Sequence, residues 1–261
     1  MRVLLTNDDG FDSVGMRVLR DVVSGHFAEV WVSAPARDCS AASRALSVRT
    51  PIKTHMRGER EFVVHGTPAD SAVIGICEMT STGKRPDLVI SGINYGANTG
   101  FTVPYSGTIA AAAAAFDIGV PAIAISQQYN GKRCDNNVET SWQNSRKSVM
   151  ALVSRLLRDT MWHGKCIMSI NVPYSDVQGV KFAGHSCDDG HIKWDGPSME
   201  RREITSGDGR CVSYVFDDMR SPNSNDNASD TQLLEQGYIV VTPIGHSMTD
   251  HATLDKYCGL Q

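Results

Sequence analysis

Short apolar runs alternate along the first half of the chain with longer segments in which apolar residues recur every three or four positions. The runs predict strands over residues 2–6, 30–34, 62–65, 87–91 and 122–126. The longer segments predict helices over residues 16–23, 69–79 and 107–116. The strands are continuous apolar runs, which is typical of strands buried on both faces of a parallel sheet. The pattern therefore predicts an α/β protein with a Rossmann-like, doubly wound and mostly parallel sheet.

The same pattern continues to Pro173 and then stops. A helix over residues 140–158 and a strand over residues 166–172 complete the predicted core, so we expect residues 1–172 to form one Rossmann-like unit that carries the catalytic machinery. The segment 128–140, which precedes this helix, is polar and is predicted to be a surface loop.

The remaining part of the chain, residues 173–261, has a different composition. Residues 178–230 are rich in Gly, Ser, Asn and Asp, and the alternating segment 211–216 is typical of a β-hairpin. An apolar strand follows over residues 237–243. A hairpin that cannot bury its own apolar face needs a partner. We therefore predict a C-terminal hairpin arm and return strand, part of the same domain, that joins subunits into a homodimer or homotetramer.

Composition and charge exclude several classes of protein. Hydrophobic residues make up 41% of the 261-residue chain, but no apolar stretch is long enough to cross a membrane. With 25 Lys and Arg against 29 Asp and Glu, the net charge of −4 disfavours nucleic-acid binding. The seven cysteines are scattered without a CxxC pair, and the chain shows no signal-peptide pattern. Both observations favour a cytoplasmic protein with reduced thiols.

Candidate chemistry lies where the predicted strands end, because ligands of open α/β sheets bind beyond the carboxyl ends of the strands. Asp8 and Asp9 follow the first strand directly. Adjacent carboxylates repel each other unless a cation compensates them, so this pair indicates a hard divalent ion such as Mg²⁺ or Mn²⁺. The alternative is a simple turn in which Asn7 or an aspartate bonds to the neighbouring backbone.

Two further polar segments precede predicted helices. Ser106, Gly107 and Thr108 open an alanine-rich helix, and their hydroxyl and N–H groups at the positive end of the helix dipole favour an anion site. The alternative is that Ser106 is only the N-cap of its own helix, and both interpretations are compatible. Residues 67–70 fit a capping box with proline at the first helical position.

Familiar catalytic motifs are missing from the sequence. No GxGxxG motif follows the first strand, and no P-loop motif GxxxxGK[ST] is present. The chain also has no GxSxG nucleophile elbow and no HExxH zinc motif. Dinucleotide binding of the usual kind, P-loop chemistry and serine or zinc hydrolysis are therefore disfavoured.

Together the polar segments resemble the SurE family of survival proteins, which are metal-dependent 5′-nucleotidases. The matching segments are LLTNDDG (4–10), SAPARDCSAAS (33–43), HGTPAD (65–70), PDLVISGINYGANTG (86–100), YSGTIAAA (105–112) and VPAIAIS (120–126). The C-terminal segments SD (229–230) and GYIVVTPI (237–244) are also similar to the family. The resemblance leaves out only about residues 128–228.

The resemblance implies one divalent ion per subunit, Mg²⁺ or Mn²⁺, whose ligands are Asp8, Asp9, Ser40 and Asn94. It implies phosphate contacts from Asn98, Ser106, Gly107 and Thr108. The predicted catalytic residues are Asp8, Asp9, Asn98 and Ser106. The expected reaction is hydrolysis of nucleoside 5′-monophosphates by metal-activated water.

Three alternatives to this reading stay open. Asp8 is either a metal ligand only or a covalent nucleophile. The substrate is either a nucleotide or another phosphomonoester, including short polyphosphate. A non-catalytic module that senses nucleotide or phosphate is the competing class.

One segment departs from the commoner bacterial pattern of the family. Residues 40–43 read Ser-Ala-Ala-Ser where SGxS is usual, a form that looks closer to plant-type members. Because alanine tolerates positive φ poorly, Ala41 is expected to alter the backbone beside Ser40.

Overall fold

The computed structural model describes residues 1–129, 142–162, 164–185, 199–206, 209–216, 228–245 and 247–258. The strands are β1 (Arg2–Thr6), β2 (Glu29–Pro35), β3 (Thr54–Gly58), β4 (Glu61–Val64), β5 (Leu88–Tyr95), β6 (Ala122–Gln127), β7 (Ile167–Val172), β8 (Gly179–Phe182), β9 (Met199–Ser206), β10 (Gly209–Phe216) and β11 (Tyr238–Ile244). The helices are α1 (Val14–Val23), α2 (Pro68–Ser81), α3 (Gly107–Asp117), α4 (Gln143–Arg158), α5 (Asp230–Glu235) and α6 (His251–Cys258). A 3-10 helix (Gly100–Tyr105) leads into α3.

Nine of these strands form one mixed sheet in the order β3-β4-β2-β1-β5-β6-β7-β11-β8. The strands from β4 to β7 in this order are parallel to one another. At one edge β3 is antiparallel to β4, and at the other β11 is antiparallel to β7 and parallel to β8. The prediction of a doubly wound, mostly parallel sheet is confirmed.

The helices cover both faces of the sheet because alternate residues of each central strand enter different cores. Val3 and Leu5 of β1 pack in the core beneath α1 and α4, whereas Leu4 packs in the core beneath α2 and α3. All three side chains are fully buried. Double-sided burial explains why the sequence of β1 is a continuous apolar run.

Some elements differ from the sequence prediction. All five residues of β3 are exposed, so no apolar run marks this strand. The strand β8 has three exposed residues and was likewise not predicted. The predicted strand over 87–91 extends to Tyr95, and the predicted helix over 140–158 begins at Gln143. The short helices α5 and α6 were also missed.

The C-terminal region contains the predicted hairpin and also contributes to the main sheet. The strands β9 and β10 pair antiparallel in a separate two-stranded sheet, from Met199 opposite Phe216 to Ser206 opposite Gly209. The return strand β11 lies in the nine-stranded sheet. Residues 130–140 of the predicted surface loop and residues 186–198, 207–208 and 217–227 of the polar segment lie outside the described residues. Across the described residues, every helix is too short or too polar to span a membrane.

Candidate active site

The loop between β1 and α1 presents Asp8 and Asp9 at the carboxyl edge of the sheet. The amide nitrogen Nδ2 of Asn7 closes this loop by donating to the carbonyl oxygen of Gly10 at 2.9 Å and to the hydroxyl of Ser13 at 2.8 Å. Gly10 has a φ of 103°, and a Cβ there would lie 3.2 Å from the backbone of the loop after β2. The side chain of Asn7 closes the turn. A turn at this position is therefore compatible with metal binding by Asp8 and Asp9.

The loop after β2 is tied to Asp8 through the backbone. The N–H of Cys39 donates to the carbonyl oxygen of Asp8 at 2.8 Å, which places Ser40 next to the aspartate loop. Both the N–H and the hydroxyl of Ser40 donate to Oδ1 of Asp38, at 2.8 and 2.6 Å. Ala41 has a φ of 58°, so this alanine adopts the left-handed conformation that favours glycine. The unusual backbone conformation of Ala41 therefore lies directly beside Ser40, where the sequence predicted a backbone change.

The end of β5 is tied to Asp9. The N–H of Tyr95 donates to Oδ2 of Asp9 at 3.0 Å, so the preceding residue, Asn94, adjoins the aspartates. The side-chain nitrogen Nδ2 of Asn94 donates to the carbonyl oxygen of Gly96 at 2.8 Å. The N–H of Gly96 donates in turn to the carbonyl oxygen of Gln127 at 2.9 Å. Because the side-chain nitrogen of Asn94 is used in this hydrogen bond, its side-chain oxygen Oδ1 is the atom suited to bind a cation.

The start of α3 touches the aspartate loop from the other side. A Cβ at Gly107 would lie 2.6 Å from the Cβ of Asp8, so only glycine permits this approach. The hydroxyl of Thr108 donates to Oδ1 of Asp8 at 2.6 Å, and both residues are buried. The hydroxyl of Ser106 accepts the N–H of Ile109 at 3.1 Å, which confirms Ser106 as the N-cap. The candidate anion site and the candidate metal site are therefore in direct contact.

Asn98 lies buried behind these loops. Its side-chain nitrogen donates to the hydroxyl of Ser126 at 2.9 Å and lies 3.4 Å from the hydroxyl of Thr108. Its backbone N–H donates to the side-chain oxygen of Asn171, at 2.8 Å. Asn98 is thus joined through Thr108 to Asp8, and the structure brings the predicted phosphate residues and the aspartates into one network.

Sequence reasoning assigned no role to Asn171, which contacts Asn98 of this network, or to Asp230, which contacts the nearby loop after β5. Asn171 near the end of β7 and Asp230 at the start of α5 are both fully buried. Oδ2 of Asp230 accepts the N–H of Gly100 at 2.9 Å and lies 3.2 Å from Nδ1 of His185. The sequence does contain one indication of Asn171, because it is a polar residue near the carboxyl end of an otherwise apolar strand. Asp230 lies in the family-like segment SD (229–230), but its contact across 130 residues leaves no local pattern in the sequence.

The electrostatics of the site are dominated by Asp8. Burial, followed by the neighbouring charge of Asp9, raises the pKa of Asp8 from 3.8 to about 7. The hydrogen bond from Thr108 acts in the opposite direction but does not offset these two effects. A cation bound at this carboxyl would offset the cost of burying its negative charge beside that of Asp9.

The donor set fits a hard divalent cation. Among the residues described, no three His, Cys, Asp or Glu side chains form a cluster suited to a metal ion. An ion at Asp8 and Asp9 would therefore need neutral oxygen ligands, which the hydroxyl of Ser40 and the amide oxygen of Asn94 would supply. Such an oxygen set suits Mg²⁺ or Mn²⁺ better than zinc. The buried carboxyl of Asp8, costly without a counter-charge, is consistent with this fit.

Comparisons with known proteins agree with the residue pattern. A family model described as survival protein SurE matches residues 3–191. The chain is 99% identical over 261 residues to a 5′-nucleotidase SurE of Anaplasma marginale (strain St. Maries), with 100% of both chains covered. It is 36% identical over 262 aligned positions to a 5′-nucleotidase SurE of Ehrlichia chaffeensis (strain Arkansas), covering 98% of this chain and 96% of the relative.

The fold is also similar to that of a solved structure. The crystal structure of the SurE protein from Aquifex aeolicus superposes with a TM-score of 0.75 at 25% sequence identity. The match covers 100% of this chain and 99% of the other. The likeness extends over the C-terminal region as well as the residues that match the family model.

Proposed function

The chain belongs to the survival protein SurE family, and we propose that it is a 5′-nucleotidase that hydrolyses nucleoside 5′-monophosphates to nucleosides and inorganic phosphate. The observation that carries this function is the contact between the start of α3 and the aspartate loop. It joins a helix N-terminus, which favours anions, to a pair of carboxylates that favour a divalent cation. A phosphate group bound between them would contact both the N-terminus of α3 and a cation held by the aspartates.

The proposed metal ligands are Asp8, Asp9, Ser40 and Asn94, holding one Mg²⁺ or Mn²⁺ per subunit. Two carboxylates and two neutral oxygens leave the loaded site with almost no net charge, so a phosphate dianion approaches without repulsion. When bound, such an ion supplies Lewis-acid chemistry, which makes water a better nucleophile and neutralises phosphoryl oxygens.

The chain's own residues supply binding, orientation and proton transfer. The N–H groups of Gly107 and Thr108 are the first of α3, have no intrahelical acceptor, and donate to phosphoryl oxygens. Asn98 and Ser106 add side-chain contacts to the same oxygens. Asp9 accepts the proton of the attacking water, because Asp9 is only partly buried whereas the carboxyl of Asp8 is buried. Asp8 acts as a ligand in this proposal, and trapping of a phosphorylated Asp8 after a single turnover would overturn it.

The C-terminal hairpin supports a proposed oligomer. The strands β9 and β10 pair with each other in their own two-stranded sheet, and an isolated hairpin is only marginally stable in water. We expect the arm to pack on a second subunit in a homodimer or homotetramer, which sedimentation at micromolar concentration would detect. The free thiols of Cys39, Cys77, Cys166 and Cys258 are consistent with the proposed cytoplasmic location.

The central experiment measures phosphate release from nucleoside 5′- and 3′-monophosphates, other phosphomonoesters and short polyphosphate, with Mg²⁺, with Mn²⁺ and with EDTA. We expect metal-dependent turnover of the 5′-monophosphates. In Asp9→Asn, kcat should fall by about a thousandfold or more, since several kcal/mol of transition-state stabilisation are lost. The matched control is Asp12→Asn, because Asp12 is an exposed carboxylate of the same loop that pairs with Arg57 at 2.6 Å.

The other outcomes separate the alternatives. Wild-type turnover of Asp9→Asn at saturating metal would refute the metal assignment. Stabilisation by Mn²⁺ without any turnover would indicate a sensor. Preferential hydrolysis of other phosphomonoesters or of polyphosphate would refute the nucleotide substrate while keeping the phosphatase class.

A further inference from the structure

A buried asparagine of β7 holds the backbone of Asn98 at two points. Oδ1 of Asn171 accepts the N–H of Asn98 at 2.8 Å, and Nδ2 of Asn171 donates to the carbonyl oxygen of Asn98 at 3.1 Å. The two residues are 73 positions apart in sequence, and Asn171 is fully buried. One side chain thus satisfies both backbone groups of one residue, which fixes the peptide planes on either side of it.

The side chain of Asn98 is oriented by a different strand. Its Nδ2 donates to the hydroxyl of Ser126 on β6 at 2.9 Å. With the backbone held from β7 and the amide held from β6, Asn98 has little freedom to move. Asn98 is also 92% buried, so a shift of its backbone could not be relaxed into solvent.

We propose that Asn171 is a positioning residue for phosphate binding, which acts by holding Asn98 in the orientation that contacts the phosphoryl group. The inference rests on the proposed function, in which Asn98 is a phosphate contact. Removing the amide of Asn171 would leave the N–H and carbonyl groups of Asn98 buried without partners. The segment would then shift to find new partners, and the contact with phosphate would weaken.

The geometry predicts that the effect is confined to the anion. The aspartate loop is held by Asn7, and Asp9 is bonded to the backbone of Tyr95. Asn171 takes part in neither contact, and it reaches Asp8 only indirectly, through Asn98 and the long 3.4 Å contact between Asn98 and Thr108. Loss of Asn171 should therefore weaken the binding of phosphate while leaving the binding of a metal ion unchanged, whereas a general structural role would weaken both.

The test uses calorimetric titration of the full chain with inorganic phosphate in the presence of Mn²⁺, and separately with Mn²⁺ alone. Asn171→Leu keeps the branched shape and removes both hydrogen bonds. Asn171→Ser removes the same bonds with less bulk and serves if the leucine variant does not fold. The control is Thr242→Val, since Thr242 is buried on the adjacent strand and its hydroxyl has no partner among the described residues.

We expect the Kd of phosphate to rise about tenfold in Asn171→Leu, the effect of losing one hydrogen bond between Asn98 and the phosphate group, and the Kd of Mn²⁺ to stay within about twofold. Thr242→Val should leave both constants unchanged. In a double-mutant cycle with Asn98→Ala, the Asn171 substitution should add little, because its effect passes through Asn98. Additive effects of the two substitutions, an unchanged phosphate Kd in the Asn171 variants, or an equal loss of Mn²⁺ binding would each overturn the inference.

The single variant Asn98→Ala separates this inference from the proposed function. If Asn98→Ala weakens phosphate binding and the Asn171 variants do not, only the positioning role fails. If Asn98→Ala itself leaves the Kd of phosphate unchanged, the assignment of Asn98 as a phosphate contact fails, and the inference that depends on it fails too.

Discussion

The helices α2 and α3 lie side by side on one face of the sheet, yet their N-termini are built differently. In α2, Thr67 accepts the N–H of Asp70 at 3.1 Å, and Asp70 accepts the N–H of Thr67 at 2.9 Å, which completes the predicted capping box. In α3, Ser106 caps Ile109, but the first turn contains no acidic residue. The first helix end carries its own anion, whereas the second has none in its first turn and is the end at which we propose that phosphate binds.

The aspartates beside the two helices differ in the same way. Burial alone would raise the pKa of Asp70, but hydrogen bonds from the backbone of Thr67 and from the N–H and hydroxyl of Ser47 outweigh it, and the pKa lies below its usual value. The buried carboxyl of Asp8 has a pKa raised to about 7 by burial and by Asp9. A buried carboxylate with enough donors stabilises the fold, and one without them is suited to bind a cation.

The largest effect on stability is expected for Asp70→Ala. The substitution removes the capping box and the two hydrogen bonds that hold Ser47, so the free energy of unfolding should fall by about 3 kcal/mol. Urea denaturation measures this loss. The control is Glu78→Ala on the exposed side of α2, which should change the value by less than about 0.5 kcal/mol. A similar effect of both substitutions would remove the distinction between the two helix ends.

An effect of opposite sign is expected for Asp8→Asn in the metal-free protein. The pKa of Asp8 in the folded protein, about 7, exceeds its ordinary value of 3.8, so this group's contribution to stability is present below about pH 4 and is lost as the pH rises through 7. The substitution keeps an acceptor for Thr108 and removes the titration. At about pH 8 in EDTA, the free energy of unfolding should therefore exceed that of wild type by about 2 kcal/mol.

Denaturation curves at about pH 4 and pH 8 measure this difference, which should nearly vanish at the lower pH. The same variant should lose its stabilisation by Mn²⁺. A destabilised Asp8→Asn at both pH values would show that Asp8 is a structural carboxylate like Asp70.

The smallest effect on stability is expected for Ser106→Ala, which removes one N-cap hydrogen bond and should cost about 1 kcal/mol. Thr67→Ala is the comparison variant at the other helix end and should cost somewhat more, because the hydroxyl of Thr67 also donates to the carbonyl oxygen of Ala45 at 2.7 Å. The two should differ in function, because only Ser106→Ala is expected to raise the inhibition constant of inorganic phosphate. Equal inhibition constants in wild type and Ser106→Ala would contradict the anion role of Ser106.

The sequence predicted the parallel centre of the fold because strands that are buried on both faces consist of continuous apolar residues. Continuous apolar runs marked β1 and β6. The exposed strand β3 has no apolar pattern, because its five residues contact solvent and its place in the sheet is set by backbone pairing with β4. The position of β11 inside the sheet is set by tertiary pairing, which an apolar run does not encode.

The candidate site was predictable where its residues cluster in short segments. Asp8 and Asp9 were identified by adjacency and by position at a strand end, and Ser106 by its place before an alanine-rich helix. The supporting residues were not, because Asn171 and Asp230 act across long sequence separations. The departure from the family motif predicted a backbone change at Ala41, whose φ in the structure is 58°, but the contact of Gly107 with Asp8 required three-dimensional packing.

The placement of β11 has a consequence for how the protein is made. This strand is synthesised after β7 and β8 but lies between them in the sheet. Asp230, which holds Gly100, also emerges late. A nascent chain that ends before residue 229 thus contains every proposed metal and phosphate ligand, but one edge of β7 is unpaired and Gly100 lacks its anchor. The sheet beside β7 is therefore completed only after the C-terminal segment leaves the ribosome, and until then the unpaired edge of β7 is open to pairing with other chains.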